Sequence, residues 1–119
     1  MAKILVIDDE PAVLLIIQRI LQNAGHTVIS ASDGPIAIKS YETETPDLVI
    51  TDMFIPEYDG VQLISHFRRL SSTLPILAVS GHSKSHRLDI ATQLGVTAVL
   101  EKPFAPEDLV NAVNNALKR

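Results

Sequence analysis

The chain has 119 residues, 46% of them hydrophobic, which provides for one hydrophobic core and predicts a single domain over residues 1–119. Its 14 acidic and 10 basic residues leave a formal net charge of -4, and no basic run exceeds Arg68-Arg69, which argues against direct nucleic-acid binding. It contains no cysteine, which excludes disulfides and thiolate metal sites and fits a reducing compartment.

Five short segments predict β-strands, because they are rich in Val, Ile and Leu and mostly lack polar interruptions, as in strands covered on both faces. The predicted strands are Lys3–Ile7, Thr27–Ala31, Leu48–Thr51, Ile76–Ser80 and Ala98–Glu101. The first apolar segment is too short to span a membrane, and the carboxylates that follow it from Asp8 onward also exclude a signal peptide. We therefore expect a cytoplasmic protein.

The segments between the strands predict helices. In the first, apolar residues recur at helical spacing, and Gly25 just beyond them predicts the helix end. The predicted buried stripe is Val13, Ile16, Ile17, Ile20 and Leu21. Beside this stripe lie Leu14 and Leu15, of which we expect Leu15 rather than Leu14 to widen the buried face. Further helices are predicted near Pro35–Tyr41, Val61–Leu70, Ser85–Leu94 and Pro106–Leu117.

Alternating strands and helices predict right-handed crossovers onto a parallel sheet, and hence an α/β three-layer sandwich. In such a sheet, ligands bind outside the carboxyl ends of the strands. Polar residues lie at those ends: Asp8 and Asp9 after the first strand, Asp52 after the third, Ser80 in the fourth and Lys102 after the fifth. Carboxylates suit a divalent cation such as Mg²⁺, whereas a hydroxyl and an amine suit phosphate oxygens.

In their order and positions, these residues resemble the signature of response-regulator receiver domains. The resemblance is carried by Asp8-Asp9, the segment DMFIPEYDG at 52–60, Ser80-Gly81 and Lys102-Pro103-Phe104. It extends from the first strand to the last helix. It implies a flavodoxin-like (βα)5 fold with five parallel strands in the order 2-1-3-4-5, and a site where strands one and three meet.

The resemblance also implies a role for each site residue. Asp52 would be the phosphoacceptor, taking a phosphoryl group from phosphohistidine to form an acyl phosphate. Asp9 would bind Mg²⁺ directly and Asp8 largely through water, while Asp52 and the main-chain carbonyl of Phe54 complete the metal site. Lys102 would pair with Asp52 at rest and with a phosphate oxygen afterwards. Ser80 would hydrogen-bond another phosphate oxygen.

A protein of this kind is expected to act as a switch and not as a metabolic enzyme. The resemblance implies a partner histidine kinase or histidine phosphotransfer protein, which in this family docks on the first helix, and a downstream protein target. Because the chain ends at Arg119, just after the last predicted helix, we expect a single-domain regulator without an output domain. We further expect a monomer or weak dimer, no membrane insertion, and a cis Lys102-Pro103 peptide.

Other interpretations of the same residues stay open. Asp8 and Asp9 could cap the first helix, since Asp is common before Pro and a periodic apolar run. A flavodoxin-like cofactor protein would need a phosphate-binding loop where this chain has the acids that begin at Asp8. An aspartate-nucleophile phosphohydrolase would use similar chemistry, with its nucleophile after the first strand. A receiver-shaped docking module that is never phosphorylated is the remaining alternative.

Overall fold

A five-stranded parallel sheet forms the centre of the structure, a computed structural model that describes residues 2–55, 58–80 and 95–118. In chain order the strands are β1 (Lys3–Ile7), β2 (Thr27–Ala31), β3 (Leu48–Asp52), β4 (Phe54–Ile55), β5 (Tyr58–Asp59), β6 (Ile76–Ser80) and β7 (Ala98–Glu101). The sheet has the order β2-β1-β3-β6-β7, and β4 and β5 form a separate antiparallel pair. Since β6 and β7 are the fourth and fifth strands of the parallel sheet, this is the predicted 2-1-3-4-5 order. The predicted fold is therefore confirmed.

Four helices are described around the sheet. They are α1 (Pro11–Asn23), α2 (Gly34–Glu44), α3 (Gly60–Leu70) and α4 (Pro106–Leu117). Past the end of α1, Gly25 adopts a φ of +94°, a left-handed conformation that glycine tolerates, as the sequence predicted. None of the described helices is both long and apolar enough to cross a membrane. The helix predicted at Ser85–Leu94 lies outside the described residues.

Hydrophobic residues pack on both faces of the sheet, which is why the central strands have almost no polar interruptions. On one face, strand residues such as Leu5 and Val49 pack with Leu63 and Phe67 of α3 and with residues of α2. The other face is covered by α1 and α4. Its buried members include Ile4, Val6, Ile17, Leu21, Ile50, Leu77, Leu109 and Val113. The two layers of helices hold the strands in register, so their carboxyl ends meet at one edge.

Helix α1 is rotated relative to the predicted stripe. Ile17 and Leu21 are buried at its centre, and Leu14 packs partly buried against the same core. Ile16 is 58% exposed and Leu15 is 49% exposed, so the predicted burial of Ile16 and the predicted preference for Leu15 over Leu14 were both wrong. Each residue turns a helix by about 100°, so Ile16 lies on the flank and Leu15 on the outer face once Ile17 points inward.

Candidate functional site

The sheet brings four predicted site residues to one edge. Strands β1 and β3 are neighbours, and β6 and β7 continue the sheet beyond β3. Asp8 directly follows β1, Asp52 ends β3, Ser80 ends β6 and Lys102 follows β7. The edge is therefore built from four separate parts of the sequence, as a parallel sheet requires.

Backbone hydrogen bonds continue the sheet to the site residues themselves. Asp8 N–H donates to the carbonyl of Ala31 at 3.1 Å, which fixes the chain beyond β1 against β2. Lys102 N–H donates to the carbonyl of Ser80 at 2.7 Å. The last bond joins the lysine directly to the residue that bears the hydroxyl, so the two are held at a fixed backbone spacing.

Two of the carboxylates are buried. Asp8 is 2% exposed and Asp52 is 6% exposed, and the neighbouring Ser80 is fully buried. Burying an isolated carboxylate is strongly unfavourable unless a cation or hydrogen-bond donors compensate its charge. The two aspartates therefore require a cation or hydrogen-bond donors at this edge.

Lys102 supplies that positive charge. Its Nζ lies 2.9 Å from Oδ2 of Asp8 and 3.5 Å from Oδ2 of Asp52. Burial by itself would lower the pKa of Lys102, but the hydrogen bond to Asp8 and the negative charges of Asp52 and Asp8 outweigh it and raise the pKa above its ordinary value. The resemblance implied Asp52 as the resting partner, whereas the shorter contact is with Asp8. The Lys102-Pro103 peptide is cis, as the resemblance implied.

Both oxygens of the Asp8 carboxylate are engaged. Oδ2 accepts from Lys102, and Oδ1 accepts from the backbone N–H of Glu10 at 3.0 Å. Helix α1 has Glu10 as its N-cap residue and no side-chain capping hydrogen bond. Neither Asp8 nor Asp9 is therefore the N-cap of α1, and the capping interpretation of these two aspartates is wrong.

Three consecutive acids form a cluster suited to a hard cation. Carboxylate oxygens of Asp8, Asp9 and Glu10 lie within 4.8 Å of one another. Oxygens on opposite sides of an octahedral Mg²⁺ lie about 4 Å apart, so small side-chain rotations would bring these three to bonding distance. Asp9 and Glu10 are exposed. The residues present therefore fit a divalent cation bound through oxygen.

Glu10 is the member of this cluster that was not among the predicted ligands. In the sequence, Glu10 is the third acid of the run that begins at Asp8. Adjacency in sequence alone does not show that the three side chains converge in space. Asp52, a predicted ligand, lies outside the set of three. Phe54 begins β4 two residues after Asp52, so chain connectivity keeps its main chain near the same edge.

Comparisons with known proteins give matches to one family. A family model described as the response regulator receiver domain matches residues 4–114. The chain is 35% identical over 117 residues to the alkaline phosphatase synthesis transcriptional regulatory protein PhoP of Bacillus subtilis, covering 98% of this chain and 49% of that protein. It is 30% identical to the transcriptional regulatory protein GlrR of Escherichia coli, covering 99% of this chain and 27% of GlrR. The chain thus spans half or less of these relatives.

Solved structures show the same likeness. A response regulator receiver domain protein from Clostridium thermocellum superimposes with a TM-score of 0.95 at 31% identity, covering 100% of this chain and 96% of that one. The chemotaxis response regulator CheY4 of Vibrio cholerae gives a TM-score of 0.91 at 29% identity, covering 98% and 99%. The fold and the family model therefore agree along nearly the whole chain.

Proposed function

The chain belongs to the response-regulator receiver domain family, and we propose that it is a phosphorylation switch of a two-component or phosphorelay pathway. One observation carries this proposal: the ammonium of Lys102 lies between two buried carboxylates, Asp8 and Asp52, where β1 and β3 meet. Among the described residues, the acids Asp8, Asp9, Glu10 and Asp52 outnumber the lysine at this edge, which is unfavourable in a resting fold. It suits a site that will receive further cations and a phosphoryl group.

Asp52 is the proposed phosphoacceptor. A carboxylate oxygen of Asp52 would attack phosphorus, forming the O–P bond of an acyl phosphate as the P–N bond to a donor histidine breaks and its electron pair returns to the imidazole. Phosphoryl transfer of this kind depends mainly on positioning and on neutralising charge. Asp52 is held for it at the end of β3, where Met53 N–H donates to the Val79 carbonyl at 3.0 Å.

The neighbouring residues would neutralise the charge that arrives with the phosphoryl group. Asp8, Asp9, Asp52 and the main-chain carbonyl of Phe54 would hold Mg²⁺, with Glu10 as a further nearby carboxylate. The metal supplies positive charge beside the phosphoryl oxygens. Lys102 is already within 3.5 Å of Asp52, close enough to pair with a phosphate oxygen bound there. Ser80, at the end of the neighbouring strand β6, would donate its hydroxyl to another.

The proposed activity is that of a switch which assists its own phosphorylation and dephosphorylation, not of a metabolic enzyme. Its partners would be a histidine kinase or a histidine phosphotransfer protein, and a downstream protein that prefers the phosphorylated form. The negative charge of -4 and the lack of cysteine support action in the cytoplasm without direct contact with nucleic acid.

The test is the intact mass of the protein after incubation with Mg²⁺ and acetyl phosphate. We expect a gain of about 80 Da, one phosphoryl group, which is lost in Asp52→Asn and when the metal is removed. Asp47→Asn is the matched control: Asp47 lies five residues earlier, at the opposite end of β3, where its carboxylate accepts from Lys3 N–H. That variant should be modified like the wild type.

A gain of mass that persists in Asp52→Asn would contradict the assignment of the phosphoacceptor. An unmodified wild type, both with acetyl phosphate and with a panel of phosphohistidine donors, would favour the docking module that is never phosphorylated.

A further inference from the structure

Thr51 is fully buried one residue before the proposed phosphoacceptor, and the proposed function gives its hydroxyl no role. Its neighbours on the adjacent strands are Ile7 and Ala78, which both belong to the apolar cluster between the sheet and the helices α2 and α3. A hydroxyl in such surroundings is unfavourable unless it is hydrogen-bonded, whereas valine would fill nearly the same space without a polar atom. Core packing therefore does not explain why this side chain carries a hydroxyl.

The hydroxyl is bonded to the peptide that follows the phosphoacceptor. Thr51 Oγ1 donates to the main-chain carbonyl of Asp52 at 3.0 Å. In the same peptide unit, Met53 N–H donates to the carbonyl of Val79 in β6, also at 3.0 Å. Because a peptide unit is planar, fixing both of its polar atoms fixes its orientation. The peptide directly after Asp52 is therefore held on both sides.

This hydrogen bond lies where the pairing of β3 with β1 ends. Pairing with β6 continues to Asp52, opposite Val79, whereas pairing with β1 ends one residue earlier, with Thr51 opposite Ile7. The N–H and C=O of a trans peptide point in opposite directions, so a Met53 N–H directed at β6 leaves the Asp52 carbonyl directed toward the β1 side. The Thr51 hydroxyl thus supplies a hydrogen bond just beyond the end of the β1 ladder.

We propose that Thr51 is a positioning residue for phosphoryl transfer: its hydroxyl fixes the peptide after Asp52, and thereby the direction from which the Asp52 carboxylate attacks phosphorus. This inference rests on the proposed function, because it presumes that Asp52 accepts the phosphoryl group. The same peptide leads to the main chain of Phe54, a proposed metal ligand, so its orientation affects both the nucleophile and the metal site. A displacement of about 1 Å in a reacting group can slow a reaction by about a hundredfold.

Two substitutions separate the hydroxyl from the packing of the side chain. The measurement is the initial rate of mass gain with Mg²⁺ and acetyl phosphate, under conditions in which urea denaturation shows each variant to be folded. Thr51→Val keeps the shape and loses the hydroxyl, and it should be phosphorylated about tenfold more slowly than the wild type. Thr51→Ser keeps the hydroxyl and loses the methyl, and its rate should stay within about threefold of the wild type.

Thr97→Val is the matched control. It removes a hydroxyl at the amino-terminal edge of the sheet, where Thr97 Oγ1 accepts from Ile76 N–H at 3.1 Å, and its rate should stay within about twofold of the wild type. A Thr51→Val variant as fast as the wild type would overturn the proposal. A Thr51→Ser variant as slow as Thr51→Val would overturn it too, because the packing of the side chain and not its hydroxyl would then set the rate.

Hydrogen exchange of the Met53 amide tests the hold on this peptide without any phosphodonor. In metal-free buffer, the Met53 N–H should exchange about tenfold faster in Thr51→Val than in the wild type or in Thr51→Ser. Equal exchange in all three proteins would overturn the positioning role while leaving the proposed function intact. Faster exchange in Thr51→Val, together with a wild type that accepts no phosphoryl group from any donor, would overturn the proposed function and the positioning role with it.

Discussion

Two lysine–acid pairs lie at opposite ends of the sheet and differ in environment. At the amino-terminal end, Lys3 and Glu44 are 3.5 Å apart, with side chains 41% and 43% exposed. At the carboxyl-terminal end, Lys102 and Asp8 are 2.9 Å apart, with side chains 20% and 3% exposed. The chemistry is the same, but water screens the first pair and is largely excluded from the second. The second pair therefore contributes more to the stability of the fold.

The two ends also differ in how completely their charges are satisfied. At the amino-terminal end, Arg68 donates to the carbonyls of Ser71, Leu74 and Gly95, which joins the chain after α3 to the segment before β7. At the carboxyl-terminal end, the ammonium of Lys102 serves two buried carboxylates. The first arrangement stabilises the fold, whereas in the second, as far as the described residues go, two carboxylates share one ammonium. Four substitutions test this contrast, from the largest expected effect to the smallest.

Replacing Lys102 should have the largest effect. Lys102→Met leaves the buried carboxylates of Asp8 and Asp52 without their shared cation, and we expect a loss of about 3 kcal/mol in the free energy of unfolding. Urea denaturation in metal-free buffer near neutral pH measures it. A loss below about 1 kcal/mol would show that solvent or other groups compensate these carboxylates, and would remove the basis of the contrast.

The same pair predicts a pH dependence with a definite sign. The pKa of Lys102 is raised in the folded protein, so its ion pair stabilises the fold below the ordinary lysine pKa and is lost as the pH rises through the folded value. The difference in stability between wild type and Lys102→Met should thus be constant near neutral pH and shrink in strongly alkaline buffer. A difference that shrinks between pH 7 and 9 would contradict this origin.

Replacing Arg68 should have the next largest effect. Arg68→Met leaves three carbonyls without a charged donor, and because part of this site is solvated we expect a loss of about 2 kcal/mol. Arg69→Met is the matched control, since Arg69 is the exposed next residue of α3, and it should change stability by less than about 0.5 kcal/mol. Equal losses in the two variants would mean that helix charge, and not the three carbonyls, is responsible.

The sequence was sufficient for the sheet and for the edge that bears the site. Short, mostly apolar runs predicted the bounds of four strands correctly, and β3 extends one residue beyond its predicted end, to Asp52. The position of the site followed from a rule of topology, because parallel strands must bring their carboxyl ends together. The short strands β4 and β5 were not predicted, since two residues are too few to show an alternating pattern.

The details that the sequence did not reveal depend on packing. The exposure of Ile16 is set by how α1 rotates to bury Ile17, and apolar spacing alone tolerates several rotations. The pairing of Lys102 with Asp8 escaped prediction because a flexible lysine near several carboxylates has no sequence signal for its partner. The same holds for Glu10: the sequence shows that it is acidic, but not that its side chain converges with those of Asp8 and Asp9.

Unlike Lys102→Met and Arg68→Met, which should destabilise the fold, Asp52→Asn is expected to stabilise it. With one buried carboxylate neutralised, the Lys102 ammonium serves Asp8 alone, and the repulsion between the two acids disappears. We expect a gain of about 1 kcal/mol in the free energy of unfolding in metal-free buffer, measured by urea denaturation. A loss of stability would show that the Asp52 charge is well compensated in the resting fold, and the two ends of the sheet would then be more alike than we propose.

The smallest effect is expected at the exposed pair. Lys3→Met removes a contact of 3.5 Å between side chains that are each about two-fifths exposed, and such pairs contribute less than about 0.5 kcal/mol. The backbone N–H of Lys3, which donates to Asp47 at 2.8 Å, is unaffected by the substitution, so the start of β1 should stay in place. Urea denaturation at low and at high salt measures both the contribution and its screening. A loss comparable to that of Lys102→Met would show that burial is not what separates the two pairs.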